Sequence, residues 1–235
     1  MGSNRVRKSR KTGSNTGTYL DNIHLDYSIT RNDQMASGIV QMIGFGINLT
    51  AMTLLIVYAA MKGSATEIVS FSLFGAFINV YYIFSILYHT LVHQNAKKIF
   101  SILRKATQYL VLAGIVTPLC LVILSNMLGW FIWAAFIFLC ILGLLNITFN
   151  RSFRDTFYFL INAVLSALSV ALLILIYPRM SEFFVLWLVL IGTIVLLGQV
   201  FKGMKGVQLN TALGHLMFVI ANIGLFLVFF FNLAL

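Results

Sequence analysis

Few side chains in this 235-residue chain can do chemistry, and the interesting ones recur at helical spacing. Ser85 and His89 are four residues apart, so a helix puts them on one face, with His93 one turn further on. His215 lies far downstream, and Gln41 and Thr107 complete the set. Imidazoles bind transition metals and exchange protons near neutral pH, and hydroxyls and amides orient them. Brought together, these residues would form either a metal or catalytic pocket or an interhelical hydrogen-bond cluster of the kind small polar residues make in bundles. Spacing leaves both open. His24, in a polar stretch, reads as a solvated residue.

The composition says what must position them. Apolar residues make up 60% of the chain, with 21 Phe, while charged residues make up only 9%, against about 25% in ordinary soluble domains. A soluble enzyme, a nucleic-acid binder and a disordered chain are set aside; this is an integral membrane protein. Uncharged windows run over 34–61, 68–96, 106–150, 156–178, 183–201 and 206–235. Five hold one span each. Window 106–150 would be about 68 Å long as a single helix, more than twice a hydrocarbon core of about 30 Å, so it must reverse once. Ser125-Asn126, with Gly129 behind them, are its best turn formers. Runs such as ALLILIY and FLVFFF are apolar on every side, which excludes barrel strands. The expectation is an all-α protein of seven transmembrane helices over 34–235, preceded by a basic, largely disordered segment over 1–33. That segment has no apolar stretch after Arg5–Lys11 to make a signal peptide, and Val6 stands where a myristoylation signal needs Ser or Thr.

The net charge of +10 is distributed unevenly over the connections. Arg5, Arg7, Lys8, Arg10, Lys11, Arg31, Lys97, Lys98, Arg104, Lys105, Arg151, Arg154, Lys202 and Lys205 fall on one side, and only Lys62 and Arg179 on the other. This bias predicts a cytoplasmic N-terminus, an outside C-terminus and a multi-pass protein of the cell membrane. It also places Gln41, His89, Thr107 and His215 at similar, inner-leaflet depth. The Arg5–Lys11 cluster is suited to anionic inner-leaflet lipid. Cys120 and Cys140 fall in the third and fourth spans as packing residues. Pro118 should kink the third span, Gly75, Gly192 and Gly198 should permit close helix contact, and Asn48, Asn79, Asn146, Asn162, Gln199 and Asn222 should hydrogen-bond between helices.

These residues carry a resemblance. Ser72-Leu-Phe-Gly75, Ser85-Ile-Leu-Tyr-His89-Thr, Lys97-Lys-Ile-Phe, Arg104-Lys105, Ala113-Gly-Ile-Val-Thr-Pro118, Gly192, Gly198 and Gly214-His215-Leu-Met-Phe-Val together resemble the hemolysin III family, the bacterial branch related to the progestin and adipoQ receptors, over about 33–230. The resemblance implies seven helices around a zinc ion held by one histidine of the second span and two of a His-x-x-x-His on the last, near an acidic residue at the start of the third. It also implies lipid amide hydrolysis of a ceramidase kind for some members, and membrane homeostasis or haemolysis for others. Ser85, His89 and His215 match. Thr211 stands where the first histidine of the last-span pair belongs, Thr107 where the acidic residue belongs, and Val40-Gln41 where a Thr-His pair belongs. Two histidines without a carboxylate make a reduced site, because catalytic zinc typically takes three protein ligands and a water with a nearby base. The expectation is therefore a non-catalytic seven-helix protein in membrane homeostasis or lipid sensing, with membrane lipids as partners and no cofactor. The alternatives are a zinc-dependent lipid hydrolase using His89 and His215, and a pore or cytolysin.

Overall fold

The structure, a computed structural model, describes residues 30–149, 154–204 and 207–234. The Arg5–Lys11 cluster and His24 lie outside the described residues. Seven helices long and apolar enough to cross a membrane are present among them. They are α1 (Arg31–Lys62), α2 (Ala65–Thr90), α3 (Gln94–Pro118) with its π-helical extension Leu119–Leu124, α4 (Met127–Phe149), α5 (Arg154–Ile176), α6 (Glu182–Gly203) and α7 (Asn210–Ala234).

Local chemistry sets the boundaries. Thr30 caps α1 by accepting from the Asp33 N–H at 3.3 Å, so the first helix takes in Arg31 and Asp33, ahead of the uncharged window. Ser64 and Glu67 form a reciprocal capping box at α2, where Glu67 Oε2 accepts the Ser64 N–H at 2.6 Å. Likewise α3 begins at Gln94, well before the window at 106, because its Lys and Arg residues lie at the helix end, where long side chains can reach the interface. Pro118 has no N–H and its ring crowds the preceding turn, and the chain widens into the π-helix immediately after it. The reversal falls at Ser125, whose φ of 40° is left-handed. Asn126 Oδ1 then caps α4 through the Gly129 N–H at 2.8 Å. Arg179, one of the two cations on the sparsely charged side, donates to the Leu124 carbonyl at the end of the third span. Its position has a structural cause.

In the bundle α1 packs between α2 and α7, while α5 and α6 touch least of any sequence neighbours. The third span is the most enclosed, with 67% of its apolar window buried, and packs against α2, α4 and α5. Phe71 and Phe74 of α2 meet Phe229 of α7, the second edge-on at 5.1 Å between ring centres. Cys120 and Cys140 are free and lie in this core. Without water to drive apolar contact, such bundles rely on close packing and interhelical hydrogen bonds. Asn48 donates to the Gly75 carbonyl at 3.2 Å and to Asn79 Oδ1 at 2.9 Å, Asn162 to the Tyr109 hydroxyl at 3.1 Å, and Asn222 to the Tyr82 hydroxyl at 2.8 Å. Gln199 departs from that expectation, being exposed, and neither amide atom of the buried Asn146 has a hydrogen-bond partner.

The glycines also divide. A Cβ on Gly214 would lie 2.6 Å from the Gly198 carbonyl oxygen, so α6 and α7 touch backbone to backbone there, whereas a Cβ on Gly192 would meet nothing within 4 Å. Gly192 is therefore no contact point. Gly214→Ala is expected to destabilise by about 1–3 kcal/mol through overpacking against an immovable carbonyl. Gly192→Ala should stabilise by up to about 1 kcal/mol, the helix-propensity gain. Thermal unfolding of the two purified variants checks this, and equal shifts would contradict the assigned contact.

Candidate functional site

Three helix faces converge at the end of the bundle where α1 begins, α2 ends and α7 begins. On α1, Asp33, Ser37 and Gln41 recur every four residues, and all three are buried. On α2 the face is Ser85 and His89, and on α7 it is Thr211 and His215, likewise buried. Because α1 is wedged between α2 and α7, these faces meet.

The centre is a row of three side chains. Gln41 Nε2 bonds His215 Nδ1, and His215 Nε2 lies 3.2 Å from His89 Nε2, with the two rings nearly perpendicular. With the Gln41 amide donating to His215 Nδ1, the His215 proton is on Nε2 and is donated to His89 Nε2. The remaining His89 proton is then on Nδ1, which has no partner among the described residues. The Tyr81 hydroxyl adjoins the side chains of Gln41 and Ser85, and Ser37 Oγ is buried with no partner among the described residues. Unpaired buried polar atoms are uncommon and costly, and two of them, His89 Nδ1 and Ser37 Oγ, lie at this end of the bundle.

Cations surround the row. Arg104 of α3 lies 4.3 Å above the Tyr88 ring, and that ring is edge-on to His89 at 4.9 Å. The stem of Lys202 runs along Gly214, next to His215. The charges of Arg104, Lys97 and Lys202 all act on His89, and those of Lys202 and Arg104 on His215. Among the described residues, the carboxylate at this end of α1 is already engaged, since Asp33 accepts from the backbone N–H groups of Thr211 at 3.3 Å and Ala212 at 2.9 Å.

Of the residues singled out from sequence, Gln41, His89 and His215 form the row and Ser85 adjoins it. Thr107 is buried but donates to the Arg104 carbonyl at 2.9 Å, and the Thr211 hydroxyl donates to Asn210 at 3.2 Å. His93 is not on the His89 face; it is the exposed residue preceding α3. Sequence reading missed Asp33, Ser37, Tyr81 and the inward role of Arg104 and Lys202. Extending the four-residue spacing backward from Gln41 would have found the first two.

The distance between the facing Nε2 atoms is close to the roughly 3.3 Å that separates two nitrogens bound to one tetrahedral zinc at about 2.0–2.1 Å. Two such donors do not make a catalytic centre, and no group of three His, Cys, Asp or Glu is found together among the described residues. A divalent ion would also sit near Arg104, Lys97 and Lys202 with no free carboxylate among the described residues to offset them. The residues present do not fit a catalytic zinc.

Seven helices long and apolar enough to cross a membrane define a multi-pass membrane protein. The family described as Haemolysin-III related matches residues 30–230, from the cap of α1 almost to the end of α7 and across every residue of the site. The chain belongs to that family. It is 30% identical over 189 residues to the Hemolysin-3 homolog of Bacillus subtilis (strain 168), covering 79% of this chain and 87% of that protein. It is also 34% identical over 122 residues to Hemolysin-3 of Bacillus cereus, a match spanning 52% of this chain and 56% of that protein.

Proposed function

We propose that this protein is a non-catalytic member of its family, acting in membrane homeostasis as a lipid sensor, with its N-terminus and polar site on the cytoplasmic side. The observation that carries the reading is the charge around the paired imidazoles. His215 is held between Gln41 and His89, Arg104 and Lys202 act on both rings and Lys97 on His89, and Asp33 is occupied at α7. Such surroundings repel a metal dication and favour an anionic or neutral polar group. Amide hydrolysis would need a bound metal or a carboxylate base to activate water, and among the described residues no free carboxylate stands beside the paired rings. The orientation rests on the distribution of Lys and Arg.

Metal analysis after dialysis tests the reading. The expected result is well under one zinc per chain, with the stability of His89→Ala insensitive to chelator, because two imidazoles do not close a site. Stoichiometric zinc that survives dialysis would overturn it. The second reading, a ceramidase-like zinc hydrolase, is favoured by the 3.2 Å separation of the facing ring nitrogens, and that result would promote it.

A further inference from the structure

A second feature opens beside the histidine row: a groove of about 730 Å³ between α1 and the connection from α2 to α3. Its volume is in the range of small-molecule and lipid sites. The polar groups lie at one end, where Arg31 and Gln34 of α1 face Gln94 and Lys97 of α3. From there the wall runs along one face of α1 through Met35, Ile39 and Met42, which are 59%, 56% and 49% exposed. A charged mouth at the membrane boundary and an apolar wall running toward the interior are the two halves of a lipid.

The charge at the mouth is unbalanced. Arg31 and Lys97 both stand in the first turns of helices, where the free N–H groups already carry partial positive charge, and the first turn of α3 contains no acidic residue. Asp33 is turned to the other side of α1 and engaged with α7. Lys97 Nζ has one acceptor here, Gln34 Oε1 at 2.7 Å. The inner wall includes His89, which is 5% exposed and whose Nδ1 has no partner among the described residues. The groove thus has two cations, two helix starts and a buried unpartnered ring nitrogen.

We propose that this groove holds one anionic glycerophospholipid from the adjoining leaflet, with its phosphate between Arg31 and Lys97 and an acyl chain along Met35, Ile39 and Met42. His89 lies on the inner wall beside Gly38, below the phosphate, where the glycerol and ester groups would pass, so occupancy bears on the Gln41–His215–His89 row. The inference deepens the lipid-sensing reading and rests on it for the purpose of the site.

The test uses the full chain, purified in detergent, with phosphatidylglycerol, phosphatidylcholine or inorganic phosphate added. Native mass spectrometry counts retained lipid and thermal unfolding reads stabilisation. Phosphatidylglycerol is expected to be retained at about one per chain and to raise Tm, while the other two do neither. Arg31→Gln with Lys97→Gln should weaken retention about thirtyfold, as expected for two interfacial cations. Gly38→Leu, which fills the groove from a position whose Cβ makes only ordinary contacts with Thr90 and His89, should abolish it and serves as an independent variant should the first fold poorly. Equal stabilisation by inorganic phosphate would show a soluble-anion site and overturn the lipid assignment, as would retention equal to that of phosphatidylcholine or unchanged in both variants. Zinc content is measured separately. A failure here leaves the non-catalytic reading standing, and stoichiometric zinc would overturn that reading without altering the lipid result.

Discussion

Asp33→Ala is expected to cost the folded protein about 3 kcal/mol. The carboxylate is 2% exposed and takes the N–H groups of Thr211 and Ala212, themselves buried, at the first turn of α7. Its removal deletes two charge-assisted hydrogen bonds, each contributing about 1.5–3 kcal/mol, and leaves two buried donors unpaired, while local relaxation returns part of the loss. Because this cap ties the first helix to the last, the loss should also loosen the bond between Gln41 and His215, two turns further along α1 and one turn further along α7. Asp33→Asn keeps an acceptor and should lose roughly half as much. Equilibrium unfolding in mixed detergent measures both. An alanine variant within about 0.5 kcal/mol of the parent would show that α7 finds its acceptors elsewhere.

Thr211→His combined with Thr107→Asp is expected to convert the reduced site into one that holds about one zinc per chain. The two facing imidazoles already have the separation of zinc ligands, and Thr211 lies one turn before His215 on the same buried face. A histidine there makes the i, i+4 pair that lets one helix offer two imidazoles to one ion. Aspartate at 107 would place a carboxylate beside Arg104, whose carbonyl Thr107 now contacts, and offset the positive surroundings that disfavour the metal. With free zinc at about 100 times the dissociation constant, the gain is about 2.7 kcal/mol, visible as a raised Tm. Thr211→His alone should bind more weakly. Calorimetry and metal analysis decide the matter. A folded double variant that takes up no zinc would mean that position 107 or 211 does not face the paired rings.

The sequence by itself determined the class of fold, the seven spans and the sharpest turn. These depend on composition and on local chemistry: uncharged windows longer than a bilayer is thick, Pro118 followed by Ser125-Asn126, and capping residues such as Asn126. The spacing of Ser85 and His89 likewise disclosed one buried polar face, because a helix maps spacing directly onto direction. The ends of spans were less legible. Charged residues were treated as boundaries, yet helices carry Arg31, Asp33 and Lys97 within their end turns, where long side chains reach polar surroundings or, as with Asp33, find a partner in another helix. Only the tertiary structure decided that α1 lies between α2 and α7, and with it that Gln41 meets His215, that Asp33 is engaged as a cap, and that Gly198 and Gly214 are contact points while Gly192 is not. Those facts depend on which helices are neighbours, and in a medium as apolar as the helices themselves hydrophobic periodicity says little about that order.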